Sequence, residues 1–267
     1  MPDSNARLAV LIDADNTSVR HLPLLLEEVA KYGSPTVKRA YGDWTNPHLS
    51  GWKDELNRNA VRAMQQFAYT TGKNSSDSAL IIDAMDLLYT GDLDAFAIVS
   101  SDSDFTGLVT RLRESGKTVY GFGRRRTPEA LVAACDRFVF LEVLGTDPEP
   151  DEADETDEAD GAARLPDLRT ILSAAIDTTS GDDGWAHLGA VGTYLGTRHA
   201  SFDPRNYGYS KLIALARGQD YLEVEQDGGG PVLVRLSPRH APAKKAASSR
   251  RGSGRSAAKK TAAKTPD

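Results

Sequence analysis

The chain has one cysteine, Cys135, among 267 residues. A single thiol excludes a disulfide framework and a cysteine-rich zinc site. No stretch approaches the roughly 18 to 20 apolar residues needed to cross a bilayer, and the first residues lack a basic-then-apolar leader. A cytoplasmic protein with no membrane partner is therefore expected. Neither GxGxxG nor GxxxxGK[ST] occurs, which lowers nucleotide-cofactor readings. His21 and His48 lack a convincing partner. The formal net charge of −6, taken whole, argues against a polyanionic partner.

The charges are segregated, and that changes the inference. Residues 146–161 hold nine acids and no base, whereas 239–267 hold nine bases and one acid. The acidic tract has no aromatic and almost nothing apolar to bury, so 145–163 reads as a disordered linker kept extended by like charges. The tail, 238–267, is low in complexity and reads as disordered and basic. Folded domains are expected at 5–144 and 164–237.

In the first domain, short apolar runs alternate with helical patterns. Strands are predicted at 7–12, 36–41, 64–69, 95–100, 117–122 and 137–141. Helices are predicted at 22–32, 52–60, 75–88, 105–113 and 128–134, and Ala79, Ile82, Ala84, Met85 and Leu88 supply much of the apolar surface of the third. Continuously apolar strands separated by helices imply a mostly parallel sheet covered on both faces. The second domain reads as helices at 165–176, 186–195 and 210–216, then a hairpin of 221–225 and 232–236 around DGGGP. That is the pattern of a small winged helix.

In an open parallel sheet, function gathers at the C-terminal ends of strands. The first strand runs into Asp13, Asp15 and Asn16 (LIDADN), and the fourth into Asp102 and Asp104 (VSSDSDF). Asp77 opens the helix of KNSSDSALIIDAMD; Asp83 and Asp86 fall about 1.7 and 2.5 turns beyond it. Carboxylates converging at a sheet edge repel one another unless a hard cation neutralises them, and oxygen-only ligands suit Mg²⁺ or Mn²⁺. The plainer alternative is that the acids cap helices and start loops. It explains poorly why two strands each end in Asp-x-Asp. Asn16 either orients a metal-bound water or caps a turn. Ser100 and Ser101 either hold the loop or donate to phosphate. Lys73 and the tri-arginine run Arg124, Arg125 and Arg126 suit phosphate positioning, or form a solvated surface. Tyr41 and Trp44 either stack on bases or pack in the core.

Residues 7–141 resemble an NYN domain, a PIN-like nuclease fold, of the bacterial LabA-like branch. The resemblance is carried by LIDADN at 11–16, KNSSDSALIIDAMDLLYTG at 73–91 and IVSSDSDFTGLVTRLRESGKTVYGFG at 98–123. It implies an α/β fold with a parallel sheet in the order 3-2-1-4-5, flanked by helices. It also implies Mg²⁺- or Mn²⁺-assisted hydrolysis of RNA phosphodiesters, with Asp13, Asp77, Asp102 and Asp104 as catalytic and metal-binding acids and Asn16 as the characteristic asparagine after strand one. Ser101 stands where many relatives carry Gly. Residues 165–236 resemble an OST-type winged helix, or LOTUS domain, through GWAHLGAVGTYL, FDPRNYGYSKLIALAR and YLEVE. Such domains are implicated in RNA or protein binding, which makes Arg205, Tyr207, Tyr209 and Lys211 candidate RNA contacts and leaves a protein partner open.

Together these features point to a metal-dependent endoribonuclease acting on RNA, single-stranded in preference. The alternatives are a non-catalytic RNA-binding or scaffold protein and a phosphatase or 5′ nuclease built on the same acids.

Overall fold

A computed structural model of the chain describes residues 5–67, 75–145, 163–226 and 228–237. The first domain is a six-stranded sheet of β1 (Arg7–Asp13), β2 (Ser34–Gly42), β3 (Arg62–Gln65), β4 (Ala95–Val99), β5 (Thr118–Gly123) and β6 (Arg137–Phe140). Its order is β3-β2-β1-β4-β5-β6, with every pair parallel. The expected 3-2-1-4-5 order is present, and β6 extends it at one edge.

The helices of this domain are α1 (Leu22–Val29), α2 (Trp52–Arg58), α3 (Ser75–Thr90), α4 (Thr106–Glu114) and α5 (Glu129–Ala134). Leu22 and Leu25 of α1 and Trp52 and Leu56 of α2 cover one face of the sheet with Val10, Ile12 and Val99. Leu80 and Ala84 of α3, Leu108 of α4 and Leu131 of α5 cover the other with Leu11, Phe96 and Ile98. All five residues of β4 are buried, as a central strand between two helical layers requires. Helix α4 ends where Gly116 takes φ +78°, a left-handed conformation that glycine adopts without a Cβ clash.

Two expectations shift. Strand β3 starts two residues earlier than predicted, and the last two predicted positions, 68 and 69, lie outside the described residues. This edge strand exposes Arg62, Ala63 and Gln65, so it lacks an apolar signature. Ile82 is 64% exposed rather than inward. It lies two residues, about 200° of helical rotation, from the buried Leu80, and therefore on the opposite face of α3.

The second domain contains α6 (Leu168–Thr179), β7 (Ala186–His187), α7 (Leu188–Arg198), α8 (Leu212–Arg217), β8 (Leu222–Glu225) and β9 (Leu233–Leu236). The strands form a small antiparallel sheet in the order β7-β9-β8. Asp167 caps α6 by accepting from the Thr170 backbone N–H at 2.9 Å. Ile171, Ala175, Val191, Leu195, Leu215 and Val234 bring all three helices and the hairpin into one core. This is a winged-helix arrangement. The two-residue β7 is too short to leave a periodic signal. Of the expected linker at 145–163, residues 146–162 lie outside the described residues, as does the tail at 238–267.

Candidate functional site

Strand β1 ends at Asp13, and its parallel neighbour β4 ends one residue before Ser100. That adjacency brings two loops together. Asp13 is buried, and both of its carboxylate oxygens are engaged. Oδ1 accepts from the backbone N–H groups of Asp15 and Asn16, each at 3.2 Å. Oδ2 accepts from Asn16 Nδ2 and Ser100 Oγ, each at 2.8 Å. Burial raises the Asp13 carboxyl above its ordinary value; the Asn16 and Ser100 hydrogen bonds partly oppose that shift. One residue beyond Asn16, the Thr17 hydroxyl is buried with no hydrogen-bond partner among the described residues.

The loop after β4 is held in the same way. The Asp102 N–H donates to Ser100 Oγ at 3.1 Å, and Asp102 Oδ1 accepts from the Asp104 N–H at 2.9 Å. Asp102 thereby caps a short 3₁₀ turn, Ser103–Phe105, whose Phe105 is buried in the core. Asp77, in the first turn of α3, is buried as well. Its carboxyl is pushed up to about 6, first by burial and then by the charges of Asp13, Asp102, Asp15 and Asp104. The fold thus gathers the sequence-distant acids into one field.

The donor set is oxygen-only and self-repelling, which fits a hard divalent cation. Among the described residues, no group of three His, Cys, Asp or Glu side chains is arranged to hold a metal ion as it stands. A magnesium-type site is compatible with that arrangement, because such ions keep several waters and take one or two carboxylates plus substrate phosphate oxygens.

The tri-arginine loop follows β5, the next strand across. The Arg124 N–H donates to Ser101 Oγ at 2.8 Å, and the Arg125 N–H donates to Glu142 Oε1 at 2.9 Å. Arg125 and Arg126 are exposed beside the acidic loop. Lys73 lies outside the described residues. Tyr41 and Trp44 have internal roles. Tyr41 is 1% exposed, and Trp44 Nε1 donates to the Met64 carbonyl at 3.0 Å while its ring meets Trp52 edge-on.

Asp83 has a role that sequence spacing did not suggest. It accepts from Arg39 Nη1 and the Tyr41 hydroxyl, both on β2, and so ties α3 to the sheet about 1.7 turns after Asp77. Removing the carboxylate leaves Arg39 partly buried without its counter-charge. Asp83→Ala is expected to lower unfolding stability by about 1 to 3 kcal/mol in urea titrations. An unchanged midpoint would contradict the anchor.

In the second domain, Lys211 is exposed at the start of α8. Tyr207 donates its hydroxyl to the Pro166 carbonyl at 2.8 Å. Tyr209 packs over Gly218, where any Cβ would meet its hydroxyl at 2.4 Å. Arg205 has a different task from the expected phosphate contact: its guanidinium is committed to Asp203 and, across the domain boundary, to Glu28.

A PIN-like sheet with acids at the ends of β1 and β4, followed by a winged helix, defines the class. The NYN domain family matches residues 7–142, and the OST-HTH/LOTUS domain family matches 163–234. The chain belongs to the NYN domain family and carries an OST-HTH/LOTUS domain after it. No curated protein matches it. Similar solved structures include a protein of unknown function from Vibrio parahaemolyticus, 20% identical, covering 52% of this chain and 94% of its own, at a TM-score of 0.44. A solution structure from Chromobacterium violaceum is 33% identical over 32% of this chain and 94% of its own, at a TM-score of 0.24. Another from Nitrosomonas europaea is 31% identical over 37% of this chain and 93% of its own, at a TM-score of 0.26.

Proposed function

We propose that the chain is a metal-dependent endoribonuclease that hydrolyses single-stranded RNA, with its winged-helix domain and basic tail capturing the substrate. The observation that carries this is the field at Asp77, a buried carboxyl raised first by burial and then by four acids from two other chain segments. Such repulsion costs stability and is relieved by a cation. One or two of Asp13, Asp77 and Asp102 would hold Mg²⁺ or Mn²⁺ directly, and the others, with Asp104, would act through its waters. The cation would polarise a phosphoryl oxygen and acidify a water. Asn16 and Ser100 fix the Asp13 carboxylate. Arg125 and Arg126 would position flanking phosphates as fixed positive charges.

Lys211 and the nine-base tail supply the polyanion contact, so RNA affinity should fall steeply with salt. The test is cleavage of single-stranded RNA in Mg²⁺ or Mn²⁺, with chelator and the Asp102→Asn variant as controls. Cleavage that survives both would sink the acidic centre. Salt-sensitive binding without turnover would favour a non-catalytic RNA-binding scaffold.

A further inference from the structure

Glu28 lies on α1 and is 4% exposed. A carboxylate so buried needs partners, and its main one comes from 177 residues away. Arg205 Nη1 and Nη2 donate to Glu28 Oε2 and Oε1, each at 2.9 Å, in a two-pronged pair. The same guanidinium also binds Asp203, with Nε to Oδ1 at 3.0 Å and Nη2 to Oδ2 at 2.7 Å. Lys31 Nζ and the Tyr32 hydroxyl complete the Glu28 shell at 2.6 and 3.2 Å.

Two further contacts join the same surfaces. Asp203 accepts from Arg137 of β6 at 3.4 Å, and the Arg137 guanidinium lies 5.5 Å from the Tyr32 ring centre. The Phe138 N–H donates to the Ala200 carbonyl at 2.8 Å. Strand β6 ends the sheet, so this N–H would otherwise be an open edge donor. The entry to the second domain is fixed too, because the Ala163 N–H donates to the Thr127 carbonyl at 3.0 Å. Arg205 and its neighbours hold Glu28 well below the ordinary carboxylate range, at about 2, against the opposing effect of burial. The pair is therefore charged at any physiological pH.

We propose that the network of Glu28, Arg205, Asp203 and Arg137 locks the winged helix onto the β6 edge, so that RNA held by that domain meets the acids at the ends of β1 and β4 at a fixed spacing. A tether alone would raise local concentration over a broad range of positions. A lock sets one offset. The spacing clause rests on the nuclease reading, whereas the lock stands on the contacts alone.

Spin labels at Lys53→Cys and Glu225→Cys in the full chain read the lock directly, since both positions are exposed and Cys135 is 3% exposed. A single narrow distance is expected in the otherwise unaltered chain. Broadening is expected in Glu28→Gln, and more in Glu28→Gln with Arg137→Ala. A broad distribution in the unaltered chain overturns the lock whatever the variants do, and a narrow distance unmoved by both variants overturns the network as its cause. For the spacing, single-stranded RNA is tethered by a disulfide to Lys211→Cys. Cuts at one dominant offset that spread in Glu28→Gln support the proposal, and cuts spread equally in both overturn it. A narrow label distance with no cuts in Mn²⁺ supports the lock and counts against the nuclease reading alone.

Discussion

Asp13→Asn is expected to reduce metal-dependent cleavage of single-stranded RNA by on the order of 100- to 1000-fold or more. Asp13 ends β1 with both oxygens occupied, Oδ1 by two backbone N–H groups and Oδ2 by Asn16 and Ser100. An asparagine keeps the shape but turns one of these positions into a donor. If the amide nitrogen takes the Oδ2 place, Ser100 Oγ can rotate to accept and the Asn16 amide must turn its oxygen towards the new donor. The substitution also removes a charge whose burial is unfavourable. The fold should therefore survive with a transition temperature within a few degrees, while the capacity to bind a cation is lost. Single-turnover cleavage together with thermal unfolding separates the two effects. Loss of activity accompanied by loss of the fold would not support a role in catalysis.

Asp77→Asn is expected to stabilise the protein near neutral pH while removing its activity. The Asp77 carboxyl is raised from 3.8 to about 6 in the native state. Between those values the folded chain binds a proton that the unfolded chain has released, so stability falls as pH rises through that window. Below 3.8 the penalty is absent; above about 6 it is complete. A two-unit shift corresponds to roughly 1 to 3 kcal/mol after allowance for relaxation of the site. Urea unfolding of Asp77→Asn and the parent should therefore diverge from pH 4 to pH 7, with the variant the more stable, and converge in acid. Added Mn²⁺ should narrow the gap at pH 7 by stabilising the parent alone. A variant less stable than the parent at pH 7 would contradict the repulsion.

The acids at the strand ends were legible because β1 and β4 are buried on both faces. Their apolar runs stop where the sheet stops, and the Asp residues follow at once. Asp77 was legible from its place in the first turn of α3. The partners that set the chemistry were not. Ser100 reaches Asp13 across 87 positions, Arg39 and Tyr41 reach Asp83 across 44 and 42, and Arg205 reaches Glu28 across 177. Periodicity reports which face of an element is apolar, and nothing in it encodes such distant pairings. Arg205 shows the consequence: a basic residue ahead of a winged-helix recognition segment resembles a phosphate contact, whereas two buried carboxylates claim it. Edge elements were read least accurately. Strand β3 faces solvent with Arg62 and Gln65 and carries no alternating signal, and Ile82 supplied an apolar residue on the exposed face of α3.

Calorimetric titration of Mn²⁺ into the full chain at pH 7 tests the central claim most directly. One ion per chain is predicted to bind at the acidic centre, with proton release that grows as the pH is lowered from 7 towards 6, where Asp77 carries more of its proton. Asp13→Asn and Asp77→Asn should each abolish that event, whereas Glu28→Gln should leave it unchanged. Equal Mn²⁺ binding by the parent and both aspartate variants would contradict the proposal that these acids form a metal centre.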